Sequence, residues 1–163
     1  MSDTMPAGTG QAGPTSSNLA ITINLQYVKD LSFENPRAPQ VFVPSNQPPQ
    51  VQVNVDVGAR QVGDNVYEVT LTLNAEAKAG NDPVFLVELT YAGLFTVPAL
   101  PAEHLRPLLL IECPRLLFPF ARAIVADATR DGGFPPLMIN PIDFAALYRR
   151  QSQDAAAAPA GTA

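Results

Sequence analysis

Apolar residues fall on alternate positions in four stretches of the chain. Ile21, Ile23, Leu25 and Tyr27 alternate with Thr22, Asn24 and Gln26, and Val51, Val53, Val55 and Val57 alternate with Gln52, Asn54 and Asp56. Tyr67, Val69, Leu71 and Leu73 then alternate with Glu68, Thr70 and Thr72, and Phe85, Val87, Leu89 and Tyr91 with Leu86, Glu88 and Thr90. A period of two is that of a strand with one dry and one wet face, so four strands are expected. Leu86 stands out as an apolar residue on an otherwise polar face. Gly63-Asp64-Asn65 and Gly80-Asn81-Asp82-Pro83 are turn chemistry between neighbouring strands, which predicts hairpins and a mostly antiparallel sheet.

Past Gly93 and Pro98 the period becomes helical. Leu105, Leu108, Leu109 and Glu112 form a first run, with a break expected at Cys113-Pro114. Leu116, Leu117, Phe120, Ile124 and Ala128 form a second stripe that should stop at Asp131-Gly132-Gly133. Asn140-Pro141-Ile142-Asp143 offers an N-cap, a proline at the first helical position and an acid in the first turn. It predicts a terminal helix from Pro141 to about Gln151, with Phe144, Leu147 and Tyr148 on its apolar side. Four strands followed by helices predict an α+β fold: a four-stranded antiparallel sheet with helices packed on one face.

Between the first two strands lies a segment that resists regular structure. Prolines at 36, 39, 44, 48 and 49 fix φ and remove backbone donors, so the chain up to Gln50 is expected to be neither helix nor central strand. Long, partly apolar loops in compact domains usually carry function. Tyr27 to Pro39 ends a strand and sets Asp30 and Glu34 beside Tyr27 and Phe33, which suits docking better than catalysis.

Composition narrows the classes. With 163 residues, 47% of them hydrophobic, the chain has enough material for one domain with its own core. The expected boundaries are a disordered tail over 1–18, a folded domain over 19–152 and an Ala-rich disordered tail over 153–163. A net charge of −5 and a pI near 4.7 argue against nucleic acid and anionic membranes, which reward clustered Lys and Arg. The single cysteine, Cys113, suits a reducing compartment, and the residues before Asn18 lack the features of a signal peptide. A cytoplasmic protein without membrane insertion is expected.

Catalytic chemistry has little to work with. His104, the only histidine, sits at a helix start beside Glu103, and Cys113 lies in an apolar context before a proline, where a thiol packs as a small hydrophobe. One Cys and one His cannot close a structural zinc site, and no glycine-rich loop precedes a helix to cradle phosphate. Neither enzyme activity, cofactor nor metal is expected. Two surfaces remain. Asp30 and Glu34 around Leu31 and Phe33, with Glu88 beside Leu86 and Tyr91, read either as solvated strand positions or as an acidic surface with apolar anchors for a basic partner segment. Phe33, Val41, Phe42 and Val43 above Phe144, Leu147 and Tyr148 read either as a small satellite core or as a groove. Unpaired sheet edges and a helix apolar around much of its circumference predict a homo-oligomer.

A set of motifs in order resembles the SecB family of protein-export chaperones. They are Tyr27-Val-Lys-Asp-Leu-Ser-Phe-Glu34 with Pro36 and Pro39, Val41-Phe42, Val66-Tyr-Glu-Val69, Phe85-Leu-Val-Glu88, Gly93-Leu-Phe95, Cys113-Pro114, Leu117-Phe-Pro-Phe-Ala-Arg122, and Phe134-Pro135 through Asn140-Pro-Ile-Asp-Phe144. They span about Ile21 to Arg150. The resemblance implies a homotetramer, a dimer of dimers, that binds unfolded precursor proteins in the cytoplasm without ATP and delivers them to the SecA translocation ATPase. It further implies that Asp30, Glu34, Leu86 and Glu88 receive the basic zinc-binding tail of SecA, and that Phe33, Phe42, Phe144 and Leu147 line the client groove. Where many members carry a tryptophan before Gln47-Pro48, this chain has Asn46. Two other readings compete: a related chaperone dedicated to a toxin–antitoxin pair, and a small ligand-binding module that uses the crossover pocket.

Overall fold

The computed structural model describes residues 20–158. Strands β1 (Thr22–Glu34), β2 (Gln50–Gly63), β3 (Val66–Ala79) and β4 (Asp82–Thr96) form one antiparallel sheet in the order β1-β4-β3-β2. Two-residue loops join β2 to β3 and β3 to β4, and each uses the left-handed backbone, at Asn65 (φ 56°) and Gly80 (φ 65°). Both lie where turn residues predict hairpins. A helical stretch follows: α1 (Ala102–Pro107), a π turn (Leu108–Glu112) and α2 (Cys113–Asp131). The terminal helix α3 is Phe144–Ala157.

One face of the sheet carries the core. Val69, Leu71, Leu73, Ala75 and Ala77 of β3 and Phe85, Val87, Leu89, Tyr91 and Phe95 of β4 are buried beneath Leu109, Cys113, Leu117, Ala121 and Val125 of the helices. A Cβ on Gly93 would come within 3.0 Å of Leu117 Cδ2, so this glycine lets α2 approach the sheet. The opposite face of the sheet, with Glu34, Leu86, Glu88, Thr90, Thr72 and Asn74, has no helix over it among the described residues.

Outside β1, the structure departs from the expected elements in four places. The helix does not break at Cys113-Pro114. It passes from α1 to α2 through a π turn between Pro107 and Pro114, a wider turn of the kind that absorbs the backbone bonds those prolines cannot make. The terminal helix starts at Phe144, not Pro141, because Asp143 is the cap: its carboxylate accepts from Ala146 N–H at 3.0 Å. That helix also runs beyond Gln151 to Ala157, into the segment read as a tail, since alanine favours helix. Finally, the proline-rich crossover contains one 3₁₀ turn, Gln40–Phe42. The tail expected over 1–18 and the final residues 159–163 lie outside the described residues.

Strand β1 does not alternate as its sequence suggests. Ile23 pairs with Phe95 on the helix-covered face, whereas Leu25 pairs with Leu94 and Tyr27 with Ala92 on the open face. Bulges at Asn24 and Lys29 shift the register twice. Each inserts one unpaired residue and so reverses the faces of everything after it.

Candidate functional site

The second bulge places the acidic residues. After Lys29, Asp30 pairs with Thr90, Ser32 with Glu88 and Glu34 with Leu86, so Asp30, Glu34, Leu86 and Glu88 stand together on the open face. The three acids are exposed and Leu86 is half-buried among them. Glu76 of β3 pairs with Leu86 from the other side, with Lys78 Nζ at 3.2 Å from its carboxylate. The four residues nominated from sequence thus form one patch: carboxylates around an apolar spot, suited to a cationic segment with an apolar side chain.

Phe33 takes the other side of the same strand. It stacks on Phe85 (centroids 6.1 Å apart, planes at 25°) and meets Phe134 at 6.4 Å, while Phe134 also contacts Phe85 at 5.1 Å and Phe42 at 5.3 Å. Four rings thereby join β1, the crossover, β4 and the segment after α2. The two glycines that end α2 form their seat. A Cβ at Gly132 would run into the Phe33 ring, and one at Gly133, whose φ is +92°, would lie 2.8 Å from Phe42 Cζ. Asn35 Nδ2 donates to Gly132 O at 3.2 Å and ties the end of β1 to this seat.

A pocket of about 280 Å³ opens beside the rings, lined among others by Arg37, Val41, Phe42, Val84, Gly133 and Phe134. Phe42 is 48% exposed at its mouth. Arg37 and Asp82, 3.8 Å apart, supply charge at the rim.

Phe144 and Leu147 are not part of this pocket. Phe144 is 1% exposed and packs edge-on against Phe118, with centroids 6.1 Å apart and planes at 69°. Within a single chain Phe144, the first residue of α3, therefore occupies a core position. Leu147, half-buried on the same helix, packs against the core and not beside Phe42. Conversely, Phe85 and Phe134 complete the ring cluster and were not nominated. Phe85 reads as an ordinary strand residue, and Gly132-Gly133 reads as a helix stop.

A second arrangement missed from sequence lies at the far end of the open face. Glu68 is 5% exposed, and its carboxylate accepts from the Tyr27 hydroxyl, from Lys29 Nζ at 3.1 Å and from Arg60 Nε at 2.9 Å. These bonds, led by that from Tyr27, hold its pKa down at about 2 despite burial. Burial, followed by the bond to Glu68, pushes the Tyr27 hydroxyl up to about 12.

Nothing among the described residues brings catalytic groups together. His104 is exposed, with Nε2 at 3.7 Å from Glu103. Cys113 is fully buried and its thiol is pushed up to about 12 by burial, then by Glu112. No described group of three or more His, Cys, Asp or Glu residues stands close enough to hold a metal ion, and no described helix is long and apolar enough to cross a membrane.

An open sheet face with an acidic apolar patch, backed by an exposed aromatic pocket, defines a protein that acts by binding polypeptide, in the manner of a chaperone. The family model described as preprotein translocase subunit SecB matches residues 14–155. A protein-export protein SecB from Bradyrhizobium sp. (strain BTAi1 / ATCC BAA-1182) is 51% identical over 94% of this chain and 95% of its own length. Those of Rhodospirillum centenum and Maricaulis maris are 53% and 56% identical over 91% and 82% of the chain. A solved structure of a Mycobacterium tuberculosis SecB-like chaperone in complex with a ChAD peptide from an antitoxin shares the fold, with a TM-score of 0.62 at 17% identity over 75% of this chain and 90% of its own. The chain belongs to the SecB family, and its role is that of a protein-export chaperone.

Proposed function

We propose that the chain holds unfolded precursor proteins in the cytoplasm, without nucleotide, and passes them to the SecA translocation ATPase while assembled as a homotetramer. The observation that carries the proposal is the division of β1, with Asp30 and Glu34 on the open face and Phe33 among the rings on the other. One strand thereby serves two partners. The patch of Asp30, Glu34, Leu86 and Glu88 receives the basic zinc-binding tail of SecA, and the zinc belongs to that tail. The pocket beside Phe42 and Phe134 takes apolar side chains of the client.

An unfolded chain exposes apolar groups along its length, so many weak contacts to one assembly sum to firm binding without sequence specificity. Release then follows from competition or from geometry imposed by SecA. Assembly is supported by the apolar residues a single chain leaves exposed: Leu25, Val28 and Leu31 on edge strand β1, and Leu116 and Phe120 on the outer side of α2.

The test is to titrate Glu34→Lys and Glu88→Lys proteins with SecA and, separately, with an unfolded precursor, while native mass spectrometry follows assembly. SecA affinity should fall about tenfold or more, because each change sets a cation opposite a cationic partner. Client uptake by the tetramer should persist. Undiminished SecA binding would overturn the docking assignment, and equal loss of both activities would make the acids structural.

A further inference from the structure

We infer that Lys29, through Glu68, is the positioning residue that sets which side of the sheet the binding residues of β1 reach. The inference rests on the reading of Asp30, Glu34 and Glu88 as a docking surface for a basic segment. Val28 pairs with Tyr91 and Asp30 with the next residue back, Thr90, so Lys29 has no partner on β4 and is the inserted residue of the bulge. Tyr27, before the bulge, faces the open side, and so do Asp30, Ser32 and Glu34 after it. Were the Lys29 bulge alone absent, with the bulge at Asn24 kept, the alternation from Tyr27 would carry Leu31 and Phe33 to the open face and turn Asp30 and Glu34 toward the helices. The acidic patch and the ring cluster would be lost together.

The anchor of that bulge is visible. The tips of Tyr27 and Lys29 converge on one carboxylate, Glu68, two strands away on β3. In a regular strand, residues two apart stand about 7 Å from one another, so convergence favours the bent, bulged backbone. Ala92, which pairs with Tyr27 on the intervening strand, carries too little bulk to keep the tyrosine from reaching across. Arg60 of β2 holds Glu68 from the far side, so the cluster spans the sheet from one edge strand to the other. A carboxylate this buried needs its cations, which ties Lys29 to its place.

The test uses the assembled full chain in Lys29→Met and Lys29→Arg forms, with a lysine-rich synthetic peptide as the basic probe. Removing a cation beside an acidic surface should, on charge alone, tighten the peptide. Displacing Asp30 and Glu34 should weaken it, so the sign separates the two effects. We expect Lys29→Met to bind the peptide about tenfold more weakly and Lys29→Arg to restore binding. Unchanged or tighter binding in Lys29→Met overturns the inference.

A second readout is independent of any partner. Because Cys113 is buried with a raised pKa, a thiol introduced by Ser32→Cys is the reactive one and reports the face of residue 32. Its labelling by a charged thiol reagent should slow about tenfold in Lys29→Met and recover in Lys29→Arg. An unaltered rate would refute the positioning role. Glu88→Lys, on β4 and outside the bulge, tests the docking reading by itself. If Glu88→Lys weakens the peptide while Lys29→Met leaves both readouts unchanged, the inference fails and the docking reading stands. If Glu88→Lys has no effect, the docking reading fails and the labelling still decides the bulge.

Discussion

Strands β3 and β1 sit one strand apart in the same sheet and obey different rules. From Val66 to Ala77, β3 alternates without a fault, with Val69, Leu71, Leu73, Ala75 and Ala77 all in the core. Over a similar length β1 breaks its alternation twice. β3 has a partner on each side and helices above it, so a slip of one residue would expose five core side chains and disrupt two ladders. Among the described residues β1 has one partner and an open edge, so an inserted residue costs little. Freedom to bulge is what lets β1 turn its acids to the open face and Phe33 toward the helices, where each meets its neighbours.

The contrast is broken most forcefully from the interior. Leu71→Ala in β3 and Phe144→Ala beneath Phe118 should each destabilise by about 3–5 kcal/mol, because both sites are sealed and collapse poorly. Chemical denaturation of the assembled protein measures this. A Phe144→Ala protein of native stability that binds clients weakly would place this ring in the groove instead.

The Glu68 cluster should give a smaller effect that depends on pH. Its carboxylate is held at about 2 against an ordinary 4.5, so its stabilisation is complete above pH 4.5 and disappears as pH falls toward 2. Tyr27 acts in the opposite sense. Its hydroxyl is raised from 10.0 to about 12, so the neutral form's contribution holds below pH 10 and is lost as pH rises through 12. Glu68→Gln should cost about 2 kcal/mol at pH 7 and flatten the acid limb of the stability profile. An acid limb identical to that of the parent protein would show that the cluster adds nothing to stability.

Smallest in stability is Phe42→Ala at the pocket mouth. With Phe42 half exposed on a short 3₁₀ turn, the change should cost under about 1 kcal/mol of folding stability. It should nonetheless weaken an unfolded client about threefold to tenfold, because the ring is one of several weak contacts. Comparable losses in stability and affinity would place Phe42 with the core and not with the site.

What was legible in the sequence follows from who decides each residue's position. The four strands, both hairpin turns, the end of α2 at Gly132 and the union of Asp30, Glu34, Leu86 and Glu88 all rest on short-range signals or on motif order. The break expected at Cys113-Pro114 was wrong because a proline forbids one hydrogen bond and not the helix, and a π turn absorbs the loss. Asn140 as cap was wrong because Asn140 and Asp143 are both capping residues, and it is Asp143 that accepts from the first turn.

The sequence by itself determined the inventory: alternating strands, an acidic composition, rings and glycines near the end of α2, and the family to which they belong. Only the tertiary structure decided how these meet. The faces of β1 depend on two bulges, and one of these is held by a carboxylate 39 residues away in the chain from Lys29. Period and propensity act over a few residues, whereas an edge strand takes its register from the neighbours that fold against it.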